Sequence, residues 1–336
     1  MFWRSPPRRY DRRGVRYLTV GTAIVLLVVT AGCAGFLGGD DRDGVDGDPV
    51  AQVPANATTL VHLDAAALAD GEGDRLLADL EAAEGDAADT AEMVRDLENR
   101  TGLDPLATTG LLRFELADGA GTGYVVETDR SEADVVAAIE DRTGVEYELT
   151  AASGADVLYE PVDADGNAEP AFVGVHGDGR YVVGDEAAVR ASLDVRYGEA
   201  DAISGPVRDA YDDAVADGAA LTVASEPSGS IVPTEYEALI PLDFDVFGEV
   251  VATSRRYDAA DEGIAVDVGL SVEDESDAAE LEEVVRGAIG YLIENPLTDE
   301  TVADALETVA VDREGTTVTL AYEGDVDAVL ALFEEV

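Results

Sequence analysis

The feature that most restricts what this chain can fold into is its charge, because 73 acidic side chains face only 21 basic ones. The formal net charge of the 336 residues is −52 at pH 7, and all 21 basic residues are arginine. Repulsion of this size favours disorder unless the chain buries enough apolar surface. Hydrophobic residues make up 46% of the sequence and recur with regular periods. The sequence therefore predicts a folded protein that works in concentrated salt, where the Debye length shrinks to about 3 Å at 1 M.

The composition also says which partners this surface disfavours. A surface with so many carboxylates is expected to repel nucleic-acid phosphates and anionic lipid headgroups, so we predict no nucleic-acid partner. An acid-rich sequence without lysine but with abundant alanine and valine resembles haloarchaeal proteins, which implies a halophilic, archaeal origin.

The N-terminal residues 1–32 have the parts of an export signal. Six arginines and one aspartate contribute +5 before residue 33, so residues 33–336 carry −57. The basic region leads into an apolar run from Leu18 to Ala31, about fourteen residues long, which is typical of a secretory signal and short for a membrane span. No charge occurs from Tyr17 to Gly39, so an uncleaved transmembrane helix is the alternative. Both interpretations place residues from Asp40 onward outside the membrane, by the positive-inside rule.

The end of this segment distinguishes the two interpretations. The residues Thr30-Ala31-Gly32-Cys33 resemble the lipobox of secreted lipoproteins, although that pattern usually has leucine where Thr30 stands. The resemblance implies cleavage before Cys33, lipidation of Cys33 and anchoring at the extracytoplasmic face of the membrane. Arg12-Arg13 also resembles a twin-arginine signal, which implies export of a folded chain, but Arg16 stands where that pattern has a second apolar residue.

Residues 33–53 predict a flexible, acidic Gly/Asp tether behind the lipidated cysteine. Cys33 is the only cysteine, so no disulfide, thiol chemistry or cysteine-bound metal is expected. Beyond the tether we predict a first α+β unit over 54–225, an irregular apolar connector containing proline over 226–248, and a second α+β unit over 249–336.

Alternating apolar residues and turn signals predict mostly antiparallel sheets with helices packed on one face. The predicted strands are 59–63, 111–116, 123–128, 146–149, 157–160, 172–175, 181–183, 220–224, 250–253, 264–272, 309–312 and 317–322. A strand-helix-strand-strand unit is predicted twice, at Thr122–Glu160 and Ile264–Glu323. This arrangement, with the run Tyr181–Val189 as its most specific part, resembles secreted haloarchaeal lipoproteins with membrane-anchored α+β domains. The class offers no catalytic residues to transfer to this chain.

No motif for catalysis, a cofactor or a metal was found, so none of these is predicted. The two histidines, His62 and His176, lie in separate strand patterns and are expected to be structural. Asn56 and Asn99 begin Asn-x-Thr sequences, which on an exported chain are candidate glycosylation sites. The aromatic residues Tyr236, Phe244 and Phe247 of the connector either cover a core or form a contact surface, with the core favoured.

The sequence thus predicts a non-catalytic surface lipoprotein with a binding or envelope role. A solute-binding lipoprotein of a transporter is the alternative, but such proteins resemble two-lobed, doubly wound folds rather than hairpin-rich ones. A surface hydrolase is a third hypothesis, which requires His62 or His176 to lie with carboxylates in a pocket.

Overall fold

The computed structural model describes residues 48–65, 67, 68, 75, 76, 78, 80, 95–162, 170–216, 218–227, 231, 242–260, 263–295 and 300–324. The predicted signal segment, Cys33 and Tyr236 lie outside these residues. Among the described residues, no helix combines the length and the apolar character that a bilayer-spanning segment needs.

Twelve strands of the described chain form one antiparallel sheet. In chain order they are β1 (Ala57–Leu63), β2 (Gly110–Leu116), β3 (Thr122–Glu127), β4 (Tyr147–Ala152), β5 (Ala155–Pro161), β6 (Phe172–Gly177), β7 (Arg180–Gly184), β8 (Leu221–Ser225), β9 (Val250–Ala260), β10 (Gly263–Val272), β11 (Ala310–Glu314) and β12 (Thr317–Gly324). Their order across the sheet is β11-β12-β10-β9-β8-β1-β2-β3-β7-β6-β5-β4. The predicted α+β class is confirmed at this level, with mixed helices and a large antiparallel sheet.

The sheet crosses the predicted boundary between the two units. β1 pairs with β2 on one side and β8 on the other, and β8 also pairs with β9. The strands predicted before and after the connector are therefore hydrogen-bonded neighbours within one sheet.

The helices lie on both faces of the sheet, so the prediction that they pack on one face is wrong. α1 (Glu132–Thr143), α4 (Glu275–Glu294) and α5 (Glu300–Thr308) bury side chains in one core cluster, whereas α2 (Glu186–Arg196) and α3 (Pro206–Val215) bury theirs in another. Successive strand residues belong to different clusters, as Leu60 and Val61 do. Because successive side chains of a strand point to opposite faces, both faces of this sheet are apolar, and helices must pack on both to shield them from water. We call the face that carries Val61 the first face and the one that carries Leu60 the second face.

The folded part begins earlier than the predicted tether boundary at residue 53. Asp48 starts a short 3-10 turn, Pro49–Gln52, and its carboxylate accepts a hydrogen bond from the Val50 amide. Val50 and Val53 are fully buried in the second-face core. Residues 48–53, which the sequence assigned to the tether, therefore belong to the folded part.

A row of two glycines between two phenylalanines crosses the second face in register. Phe114 on β2 lies opposite Gly123 on β3, Gly123 opposite Gly184 on β7, and Gly184 opposite Phe172 on β6. A β-carbon added at Gly123 would lie 2.4 Å from the Phe114 ring. Gly123 thus leaves the space into which the buried Phe114 ring packs.

Candidate functional site

The structure separates the two histidines. Both lie on the second face, but β1, which carries His62, and β6, which carries His176, are separated by β2, β3 and β7. At about 4.8 Å per strand this is roughly 19 Å. They cannot act on the same small group.

His62 is held by packing. Its ring meets Tyr211 of α3 edge to face, with the ring centroids 6.0 Å apart. Its Nδ1 atom is buried and has no hydrogen-bond partner within the described chain. Burial lowers the pKa of His62 from its ordinary value of 6.5, and nearby carboxylates, Asp64 foremost, oppose this shift. A neutral, shielded imidazole of this kind packs like an aromatic residue.

His176 contacts a serine, which is the pairing that nucleophilic hydrolases use. Its Nε2 lies 3.3 Å from Ser192 Oγ on α2, but that hydroxyl donates its hydrogen to the Gln52 carbonyl oxygen at 2.8 Å. Nε2 must then donate to Ser192 Oγ, so it has no lone pair with which to activate the hydroxyl. Ser192 is fully buried and His176 only 4% exposed, so no substrate reaches either group. The contact is structural.

The surroundings of His176 are positive rather than acidic. Burial, together with the charges of Arg196 and Arg180, lowers the pKa of His176 from 6.5 to about 3. The hydrolase hypothesis required a histidine beside carboxylates in a pocket. His176 lies near arginines instead, and the His62 ring, although Asp64 is near, packs edge to face on Tyr211. Within the described ranges no group of three or more histidine, aspartate or glutamate side chains is arranged to hold a metal ion.

His176 should make folding stability depend on pH. The unfolded imidazole binds a proton near pH 6.5 and the folded one only near pH 3, so stability falls as pH drops below 6.5. The loss at pH 5 is about 2 kcal/mol through this residue. In His176→Gln, which keeps an N–H group near Ser192 but does not titrate, this part of the loss should disappear. Urea unfolding of the wild-type protein and the variant in high salt, at about pH 7.5 and about pH 5, measures the change in stability between the two pH values. An equal decrease in the free energy of unfolding of the two proteins would contradict the expectation.

A polar network lies where β3 and β7 meet the helical segment 95–101. Asp185 follows β7, and its carboxylate accepts from the Arg100 guanidinium at 2.6 Å and from the Thr122 amide at 2.7 Å. Arg100 also lies 3.7 Å from Asp96. Asp96 in turn accepts a hydrogen bond from the Tyr124 hydroxyl at 2.5 Å.

This network joins a helix to two strand ends. Asp185 occupies the predicted N-cap position of α2, but its side chain makes no cap hydrogen bond because it binds Arg100 and Thr122 instead. Burial raises the pKa of Tyr124 well above its ordinary value, as does its hydrogen bond to Asp96. The Tyr124 phenol therefore stays protonated near neutral pH, and the hydrogen bonds of the network hold these backbone segments together. Its members are far apart in the chain, and no local motif marked them.

The connector aromatics that the structure describes are buried. Phe244 and Phe247 are 7% and 5% exposed, their rings lie 5.9 Å apart, and both belong to the first-face core. The 3-10 turn Asp245–Glu249 that carries Phe247 packs against α4. Phe244 and Phe247 therefore form part of the core rather than an exposed contact surface.

Asn56 and Asn99 both lie on the surface of the protein. Asn56 precedes β1, whereas Asn99 lies within the helical segment 95–101. The two Asn-x-Thr sequences thus have different backbone conformations.

Comparisons with known proteins found structural similarity only. No protein-family model matches the chain, and no curated protein matches it. The crystal form III structure of TP0453 is 12% identical, with a TM-score of 0.47, and the match covers 87% of this chain and 100% of that chain. Crystal form I gives 12% identity, a TM-score of 0.46 and coverage of 85% and 96%, and crystal form IV gives 11%, 0.46, 84% and 96%. Similarity at this level carries no inference about function.

Proposed function

We propose that the protein is a membrane-anchored, extracytoplasmic lipoprotein of a halophile, with a binding or envelope role and no catalytic one. The observation that carries the proposal is the N-terminal sequence, in which a basic region, an apolar run and Cys33 follow one another in the order of a lipoprotein signal. The charge of −57 on the remaining residues supports an environment of concentrated salt.

The interior of the folded part agrees with a non-catalytic role. Each histidine is neutral and enclosed, and the Ser192 hydroxyl is committed to the Gln52 carbonyl. The alternative of a two-lobed solute-binding protein is less well supported, because the described strands form one antiparallel sheet.

We further propose that the predicted strand-helix-strand-strand unit occurs twice, at Thr122–Glu160 and Ile264–Glu323. In the first unit β3 leads into α1, and the hairpin β4–β5 follows. In the second unit β10 leads into α4, and the hairpin β11–β12 follows after α5. In both units the helix after the first strand buries side chains in the first-face core.

Replacing the cysteine tests the anchor. In Cys33→Ala, the folded domain should move from the membrane fraction into the medium or remain as unprocessed precursor, because lipid attachment needs the thiol. Thr30→Leu, which restores the usual lipobox residue, is the control and should stay anchored. The measurement is membrane fractionation with intact-mass spectrometry. A mature wild-type protein that begins before residue 33 and carries no lipid would show that the anchor is a helix.

A further inference from the structure

The two Asn-x-Thr sequences differ in whether the threonine hydroxyl is accessible. The acceptor motif for N-linked glycosylation requires a hydroxyl two residues after the asparagine, so the transferring enzyme must reach both side chains. A site on a folded domain is usable only where both groups are free of internal contacts.

The sequence at Asn56 meets this condition. Ala57 pairs with Leu116 and Thr59 with Glu115, so Thr58 is the extra residue of a β-bulge at the start of β1. Asn56 is exposed and Thr58 half-buried. The Thr58 hydroxyl makes no hydrogen bond to any residue that the structure describes. The contacts of this sequence involve its backbone. Asn56 O accepts from the Ala117 amide at 2.9 Å, the Ala57 amide donates to Pro54 O at 3.0 Å, and Thr58 O accepts from the Glu226 amide at 2.8 Å.

The sequence at Asn99 does not meet the condition. Thr101 is 1% exposed, and its hydroxyl donates to the Leu97 carbonyl at 2.5 Å and accepts from the Leu103 amide at 3.1 Å. The middle residue, Arg100, is bound to Asp185. The Asn99 carbonyl accepts from Arg142 Nε at 3.0 Å. Exposing the Thr101 hydroxyl requires the segment 95–101 to leave the sheet.

We propose that Asn56 carries an N-linked glycan added to the folded domain, and that Asn99 stays unmodified because folding hides its threonine. The donor is a lipid-linked sugar phosphate. The Asn56 amide nitrogen forms a bond to the anomeric carbon of the sugar and loses one proton to water. The bond from the anomeric carbon to the phosphate oxygen breaks, and the phosphate keeps the electron pair. This inference rests on the proposed extracytoplasmic location.

The pattern of modification also reports the order of export and folding. A chain that folds before it meets the transferase offers only Asn56, whereas a chain modified while unfolded offers both asparagines. The twin-arginine resemblance of Arg12-Arg13 implies the first order.

The test uses the full chain isolated from cells grown in high salt. Trypsin cleavage after arginine separates the sites, since Asn56 falls in the peptide 43–75 and Asn99 in the peptide 96–100. Glycopeptide mass spectrometry should find sugar on the first peptide in most molecules and none on the second. Thr58→Val should abolish the glycan, and Thr58→Ser, which keeps the hydroxyl, should retain it.

Contrary results are distinguishable. In the first case, a salt-tolerant protease releases the domain from intact cells by cleavage at Arg42, but Asn56 carries no sugar. This result contradicts the proposed glycan and is consistent with the extracytoplasmic location. Sugar on both peptides overturns modification after folding. In the last case, the protease does not release the domain from intact cells and neither asparagine carries sugar. This result contradicts the extracytoplasmic location itself.

Discussion

Transferring the protein from about 1 M salt to about 0.1 M is expected to unfold it, because the Debye length grows from about 3 Å to about 10 Å and the carboxylates then repel one another. Arginines neutralise only part of this charge. Glu148 and Glu160 lie directly opposite each other on β4 and β5, and an arginine of α2, Arg190, pairs with Glu160. Like charges in this position destabilise a strand pair when they are not screened.

The expected readout is loss of the far-ultraviolet circular dichroism signal on dilution, with recovery when salt is restored. A parallel series in sucrose, which favours the compact state without screening charge, is the control. Sucrose should not substitute for salt if screening is the cause. Full retention of the signal at about 0.1 M salt would refute the halophilic interpretation.

The substitution Gly184→Ala is expected to lower the free energy of unfolding by about 4 kcal/mol in high salt. Gly184 has a φ of +153°, and an added β-carbon would lie 2.2 Å from the Thr122 carbonyl oxygen and 2.9 Å from the Gly123 α-carbon. Both neighbours are backbone atoms held by the pairing of β3 and β7, so neither can move without breaking the sheet. Backbone strain and overpacking therefore add together.

Gly154→Ala is the matched control. Gly154 also has a positive φ, +82°, but it lies in the turn between β4 and β5 with no atom within 4 Å of the added carbon. Gly154→Ala should lower the free energy of unfolding by about 1 kcal/mol, because only the backbone conformation opposes the added β-carbon. Urea unfolding of both variants measures the difference. Equal decreases in the free energy of unfolding of the two variants would mean that the close backbone approach at Gly184 does not contribute to the destabilisation.

Local sequence predicted most elements because their signals are local. Ser131 was predicted to cap α1, and its side chain accepts a hydrogen bond from the Asp134 amide. The stripe from Leu281 to Leu292 predicted a helix with one buried face, and α4 buries Leu281, Val285 and Leu292. Each signal involves residues within a few turns of one another, so it needs no knowledge of the partner.

The network around Asp185 could not be predicted in this way. An aspartate before a helix indicates an N-cap, and the competing partner, Arg100, lies 85 residues away. The burial of Val50 and Val53 could not be predicted for a similar reason, since neither residue has a strand or helix period and both are buried by other parts of the chain.

By itself the sequence determined the charge, the N-terminal pattern on which the proposed location rests, and the identity of most strands and helices, because each depends on composition or on neighbouring residues. Only the tertiary structure decided the strand order, the cover on both faces and the different fates of the two Asn-x-Thr sequences. The hydroxyls of Thr58 and Thr101 look alike in the sequence. A bulge leaves the first without a hydrogen bond in the described chain, and a helical segment packed on the sheet buries the second.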